Sequence, residues 1–261
     1  MEPRSGAGVQ RSMLVGHFAA ALLAKRAEPR LSLGTTVVAA TLADLLIFAF
    51  VIGGVEQIDI VRGRFGAANY FTAIDIGWSH SLAMGFVWAA LLAGAHRAVK
   101  GSSRAAMIVA AAVLSHWFLD AVSHPAHLPL VPGRVGEIGF GLWTSVPATL
   151  LVEGGLWAGA LFLYLRATRS VTSAGRYVFW GGIIVLTLSW YNNIAGAAPS
   201  RPEDAPKASL IFFLLWVGWG YWMNRARVFK PGTTSPVDAN RRGATGATES
   251  GWNTAGRQPE S

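Results

Sequence analysis

The stretch Ser115-His116-Trp117-Phe118-Leu119-Asp120-Ala121-Val122-Ser123-His124 sets an imidazole and a carboxylate four residues apart inside an apolar run. On a helix, positions i and i+4 stand one above the other on a single face, so His116 and Asp120 can grip one divalent ion from one turn. His124 lies one turn further on, but it precedes Pro125, which disfavours helix there; it is either a ligand or a residue at the mouth of the site. His17, Asp44, His80 and Glu153 also interrupt apolar stretches. Titratable groups in such stretches are costly and mark ion or proton sites. Each has a bland alternative: a buried His donating to a backbone carbonyl, or an Asp paired with a neighbouring His. Their shared depth argues against scatter. Counted at 1.5 Å per residue from the basic end of each run, Asp44, His80, His116, Asp120 and Glu153 all fall roughly 15–24 Å up. His17, Asp44, His80, His116, Asp120 and His124 are therefore the candidate metal ligands, and neutral imidazole with carboxylate suits Zn²⁺ or a similar divalent ion. A remaining carboxylate, Asp44 or Glu153, is the candidate catalytic base. Asp75 is a ligand, a hydrogen-bond acceptor for His80, or a solvated loop residue, and His127 is a loop residue of either kind.

These residues need long apolar elements to bring them together. Of 261 residues, 52% are hydrophobic and only 14% charged, against about 25% charged in soluble domains. That composition excludes a disordered chain and points to a polytopic membrane protein. A short apolar helix over 12–24 ends at Lys25-Arg26, where a leader peptide would carry a small-residue cleavage site. Six longer runs follow, near 34–55, 78–95, 104–124, 144–165, 177–198 and 208–224, each long enough to span about 30 Å of hydrocarbon. The expected fold is all-α: a transmembrane bundle of six spans plus the N-terminal helix, which is a seventh span or re-entrant. If that helix descends from the outer side, His17 joins the layer of the other ligands. Residues 1–11 are expected to be mobile, 12–228 to form one helical domain, and the polar 229–261 to be a disordered tail. The segments 25–30, 97–104, 166–176 and 225–257 hold 15 Lys and Arg, and the opposite loops hold five. The basic side, with the C-terminus, is thus expected in the cytoplasm. The loop 125–143, with Pro125, Pro129 and Pro132, is expected outside, over the mouth of the site. Trp78 and Trp143 fit an interfacial aromatic belt, and His96 a surface position at a helix end. Cysteine is absent, which removes disulfides and thiolate chemistry.

At these residues the chain resembles the YdjM-like family of membrane-bound, metal-dependent hydrolases. The resemblance covers roughly residues 13–165: Gly16-His17, Asp44, Ser79-His80-Ser81-Leu82 and Ser115-His116-x-x-x-Asp120, with Leu128-Pro129-Leu130 and Gly141-Leu142-Trp143 similar to one subgroup. It departs where Asp75 replaces a first His, and where Leu42-Ala43-Asp44-Leu45-Leu46 lacks a second Asp. The resemblance implies a multi-span helical protein of the bacterial-type inner membrane. The family's His/Asp pattern is similar to that of zinc-dependent phospholipase C and related nucleases, which implies a phosphoester or lipid substrate.

The expected function is an integral-membrane metal-dependent hydrolase, with a metal-activated water attacking a phosphoester or lipid-linked substrate drawn from the bilayer. The alternative is a metal-ion or proton-coupled transporter using the same cluster. The single layer of the cluster, rather than a chain of groups across the membrane, favours the enzyme. A scaffolding protein with a structural metal is a third reading. The sequence carries no nucleic-acid motif, and the oligomeric state is left open.

Overall fold

The computed structural model describes residues 14–60, 71–133, 135–195 and 202–231; the 1–11 segment and the tail from 232 onward lie outside the described residues. Contacts divide the chain into a unit ending at Val228 and a second of 229–261, and the fold below is that of the first unit. Its described residues form nine helices: α1 (Leu14–Ala27), α2 (Leu33–Ala40), α3 (Leu42–Ile52), α4 (Gly77–His80), α5 (Leu82–Lys100), α6 (Ser103–Ser123), α7 (Val146–Ala167), α8 (Ser173–Ala195) and α9 (Ala205–Ala226). An antiparallel pair, β1 (Gln57–Ile60) and β2 (Phe71–Asp75), stands between α3 and α4, with Ile58 opposite Ala73 and Ile60 opposite Phe71.

The helix starts follow local chemistry. Ser32, Ser81, Ser102 and Ser145 each accept a hydrogen bond from the amide three residues on, at the heads of α2, α5, α6 and α7. Such caps contribute about 1 kcal/mol apiece. α5 stops at Gly101, whose φ of 70° lets its amide return to the Arg97 carbonyl.

α1 lies in the middle, packed against α2, α6, α7 and α8. Leu14, Val15, Phe18, Ala21 and Leu22 are buried among side chains of α2, α7, α8 and α9. A second core joins α2, α5 and α6 through Ala39, Ala89, Val109 and Val113. The outward faces are apolar as well: Leu91 is 58% exposed, Met107 66%, Leu151 77%, Leu188 62% and Leu215 68%. Facing water, that surface would far exceed the patch size a soluble monomer tolerates; lipid suits it.

Six straight spans do not result. α5, α6 and α7 are long and apolar enough to cross a membrane, and α2 with α3 counts as a fourth only if the bent pair is one span. The run at 34–55 breaks at Thr41, where the two helices meet at 60°. The Thr41 hydroxyl donates to the Val37 carbonyl at 2.8 Å. α8 and α9 have the length, at 23 and 22 residues. Their Trp190, Tyr191, Asn192 and Asn193, and Trp219, Tyr221, Trp222 and Asn224, lower the mean hydropathy. The described part of α1 is 14 residues, about 21 Å, which is short of about 30 Å of hydrocarbon. The run at 78–95 also breaks, at Ser81, into the single turn α4 and the long α5.

Candidate metal centre

Four imidazoles converge on Asp120. α6 presents His116 and Asp120 one turn apart, as the spacing predicts, with His116 Nε2 3.2 Å from Asp120 Oδ2. α1 brings His17 Nε2 to 3.2 Å from Asp120 Oδ1. α4 brings His80 Nε2 to 3.8 Å from Oδ2. His124, extended at the end of α6 with φ −70° and ψ 147°, brings Nε2 to 3.6 Å from Oδ1. The carboxylate thus faces two imidazoles with each oxygen, and all five side chains are buried. The His17 and His116 rings stack at 3.7 Å, and His116 Nε2 lies 3.4 Å from His80 Nε2. Asp44, in the first turn of α3, completes a group with His80 and His116. Among the described residues, two sets could hold a metal ion: His17, His116 and Asp120; and Asp44, His80 and His116.

The broken helix has a direct role here. The Ala40 carbonyl ends α2, and a straight helix would turn it toward the amide four residues on. Instead it accepts a hydrogen bond from His116 Nδ1–H at 2.9 Å. A carbonyl can only accept, so the contact sets the tautomer and leaves the Nε2 lone pair aimed inward. His80 Nδ1 lies 2.7 Å from Ser79 Oγ, a hydroxyl that can donate or accept, so this contact positions the ring without choosing its tautomer.

The donor set fits a divalent cation. Asp44 Oδ2 is buried without a hydrogen-bond partner, an expensive condition for a polar atom. With its Nδ1–H committed to Ala40, a neutral His116 turns its Nε2 lone pair on Asp120 Oδ2 at 3.2 Å, a repulsive contact. A cation among them relieves both penalties.

Several residues take places the sequence did not assign. Glu56 is buried in the turn after α3, and its Oε1 accepts from the amides of Trp78 and Ser79 at 2.9 and 2.8 Å. It thereby anchors the turn carrying His80, and burial pushes its carboxyl above the ordinary value. No motif announced it; only its position after an apolar run and two glycines hinted at a buried loop. Asp75 is exposed and accepts from the Gly77 amide at 3.3 Å, one residue ahead of the cap position of α4, and stands outside both metal-capable sets. Ser81, not Ser79, caps α5. Glu153 is buried, and its Oε1 accepts from the Gly16 amide at 3.2 Å; it steadies the turn of α1 beside His17 and belongs to neither set. His127 Nε2 is 3.0 Å from His124 Nδ1. Trp143 is no belt residue, being buried with its ring 4.3 Å from that of His124. Trp78 is 48% exposed.

The 125–143 loop is pinned across the ends of two helices. Its Pro129 and Leu130 carbonyls accept from the Leu82 and Ala83 amides of α5, and the Phe140 and Gly141 amides donate to the Ala121 and His124 carbonyls of α6. A cavity of about 340 Å³ reaches the cluster, with Asp44, His80, Asp120 and His124 on its wall.

Compared with family models, curated proteins and solved structures, the chain returns no match.

Proposed function

We propose that this protein is an integral-membrane, metal-dependent hydrolase of the YdjM-like kind, acting on a phosphoester or lipid-linked substrate. The carrying observation is a buried carboxylate met by four imidazoles on the wall of a cavity that opens among apolar helices. His17, Asp44, His80, His116, Asp120 and His124 would hold the ion, and their N/O character favours Zn²⁺. When bound, a divalent ion polarises the scissile phosphoryl or carbonyl group and acidifies water. Asp120 gathers the imidazoles. The Ala40 carbonyl and Ser79 orient His116 and His80. Asp44 lines the cavity; one of its oxygens would hold the ion and the other would take a proton from attacking water. Glu153, engaged with α1, is the weaker candidate for that role.

The charge distribution supports placement in a bacterial-type inner membrane, with the C-terminus cytoplasmic. In purified protein, Asp120→Ala and His116→Ala should each lose most bound metal, measured by elemental analysis, and all hydrolysis of a phosphodiester and lipid panel. Expression should persist. His96→Ala, at the far end of α5 and about 21 Å from Leu82, should change neither. Full metal content in the Asp120 variant, or metal flux into liposomes without turnover, would overturn the proposal.

A further inference from the structure

The wall of the cavity opposite the cluster is supplied by α8 and α9. Ser189, Asn192 and Asn193 line it from α8 at spacings i, i+3 and i+4, one face of a helix. Ser209, Phe212 and Phe213 do so from α9 at the same spacing. α8 is otherwise apolar on its outer side, with Ile184, Leu188 and Tyr191 exposed. Thr187 is engaged elsewhere, accepting from Trp157 Nε1 at 3.1 Å, and Ser189, Asn192 and Asn193 are the polar residues of the second half of α8 that meet the cavity.

The chemistry of this wall is specific. Among the described residues lining the cavity there is no Lys or Arg, and the acids are those of the cluster, Asp44 and Asp120. Asn and Ser each donate and accept, which matches hydroxyl or amide groups and not an isolated charge. The rings of Phe48 and Phe213 lie 6.0 Å apart and 25° from parallel, so their faces engage each other in place of forming a box for a quaternary ammonium group. The remaining wall, from Leu14, Ile47, Phe48 and Phe212, is apolar. A volume of about 340 Å³ sits at the small end of ligand pockets: room for a headgroup and the first carbons of an acyl chain, with the rest of the chain left in the bilayer.

We infer that Ser189, Asn192, Asn193 and Ser209 form a headgroup subsite for the uncharged polyhydroxyl part, a glycerol or sugar, of a lipid whose scissile bond lies over Asp44 and Asp120. The statement about the scissile bond rests on the hydrolase reading; the subsite does not. The apolar wall makes the ligand a lipid and not a free polyol phosphate.

The test is a calorimetric titration of the full chain in detergent with dihexanoyl phosphatidylglycerol, dihexanoyl phosphatidylcholine and glycerol 3-phosphate. Phosphatidylglycerol should bind about tenfold tighter than either of the others. Asn192→Leu and Asn193→Leu should each reduce the preference over phosphatidylcholine to about threefold or less, and Ser209→Ala should reduce it in part, with metal content unchanged. Equal binding of the two lipids by the natural protein overturns the subsite, as does an undiminished preference in all three variants. Glycerol 3-phosphate binding as tightly as the lipid overturns the lipid assignment. Binding is read without turnover, so the two proposals fail separately. A headgroup preference with no hydrolysis sinks the hydrolase alone. Hydrolysis of both lipids at equal rate and affinity sinks the subsite alone.

Discussion

Asp120 is the residue on which the site depends, because each of its oxygens faces two rings. Removing one partner from a buried charged network costs about 3–5 kcal/mol when the rest stays behind, so its loss should be felt in stability as well as in metal content. Ser79 acts through His80. Ser79→Ala should leave the fold intact and weaken metal binding by about tenfold or more, read by competition with a chromogenic chelator; unchanged affinity would show that His80 needs no such support. Glu56 carries a pH signature. Its folded pKa is raised by burial, so it favours the folded state while protonated, and that contribution is lost as pH rises through the folded value. Glu56→Gln keeps an acceptor for the Trp78 and Ser79 amides and removes the charge. Thermal melts should show a flatter loss of stability as pH rises above the ordinary carboxyl range in this variant than in the natural protein. Glu56→Ala should destabilise at every pH, by about 1–3 kcal/mol. A Gln variant that falls off with pH as the natural protein does would assign the effect to another group. The His116/Asp120 pair was legible because helical periodicity is local. Glu56, Ser79 and the Ala40 carbonyl were not, because their contacts arise only when a helix breaks and a turn closes back on it.

At the scale of elements, the bend at Thr41 turns one apolar run into two helices with separate tasks. α2 supplies the carbonyl that orients His116, and α3 supplies Asp44. The run at 34–55 reads as one span because apolar residues continue through the break; the bend lies in the tertiary arrangement. α2 is fixed by its crossing with α9, where small residues allow backbones to touch. A Cβ at Gly34 would collide with the Tyr221 ring, and one at Gly220 would lie 3.0 Å from Gly34 Cα. Since backbone cannot yield as a side-chain tip can, Gly220→Ala should cost about 1–3 kcal/mol and should also weaken metal binding, because α2 ends at Ala40. Gly94→Ala on α5 meets no atom within 4 Å and should be neutral or slightly stabilising. Thermal unfolding of both variants in the same detergent checks the pair, and equal melting temperatures would show that the crossing is looser than its geometry.

For the whole molecule, the proposed placement of the basic loops on the cytoplasmic side predicts one orientation. The Cys-free chain makes it measurable. Val135, 61% exposed on the 125–143 loop, and Ser235, in the tail, can each be replaced by cysteine. An impermeant thiol reagent applied to intact cells should label Val135→Cys and spare Ser235→Cys; the reverse pattern would invert the topology. The all-helical class was legible from composition, whereas the number of spans was not. In α8 and α9, Trp190 and Trp216 serve the core and Asn192 and Asn193 the cavity, at the expense of mean hydropathy.

The tautomer imposed by Ala40 has a consequence for how many ions the centre holds. With Nδ1–H committed to the carbonyl, His116 has a single lone pair, at Nε2, yet it belongs to both three-residue sets. One lone pair serves one ion, so the two positions are not equivalent once either is filled. An ion that takes Asp44, His80 and His116 leaves the other position with His17 and Asp120, and with His124 at 3.6 Å from the same carboxylate. Loading should proceed in unequal steps, a tight ion followed by a weaker, exchangeable one, and His116→Ala should erase that inequality by degrading the tight step.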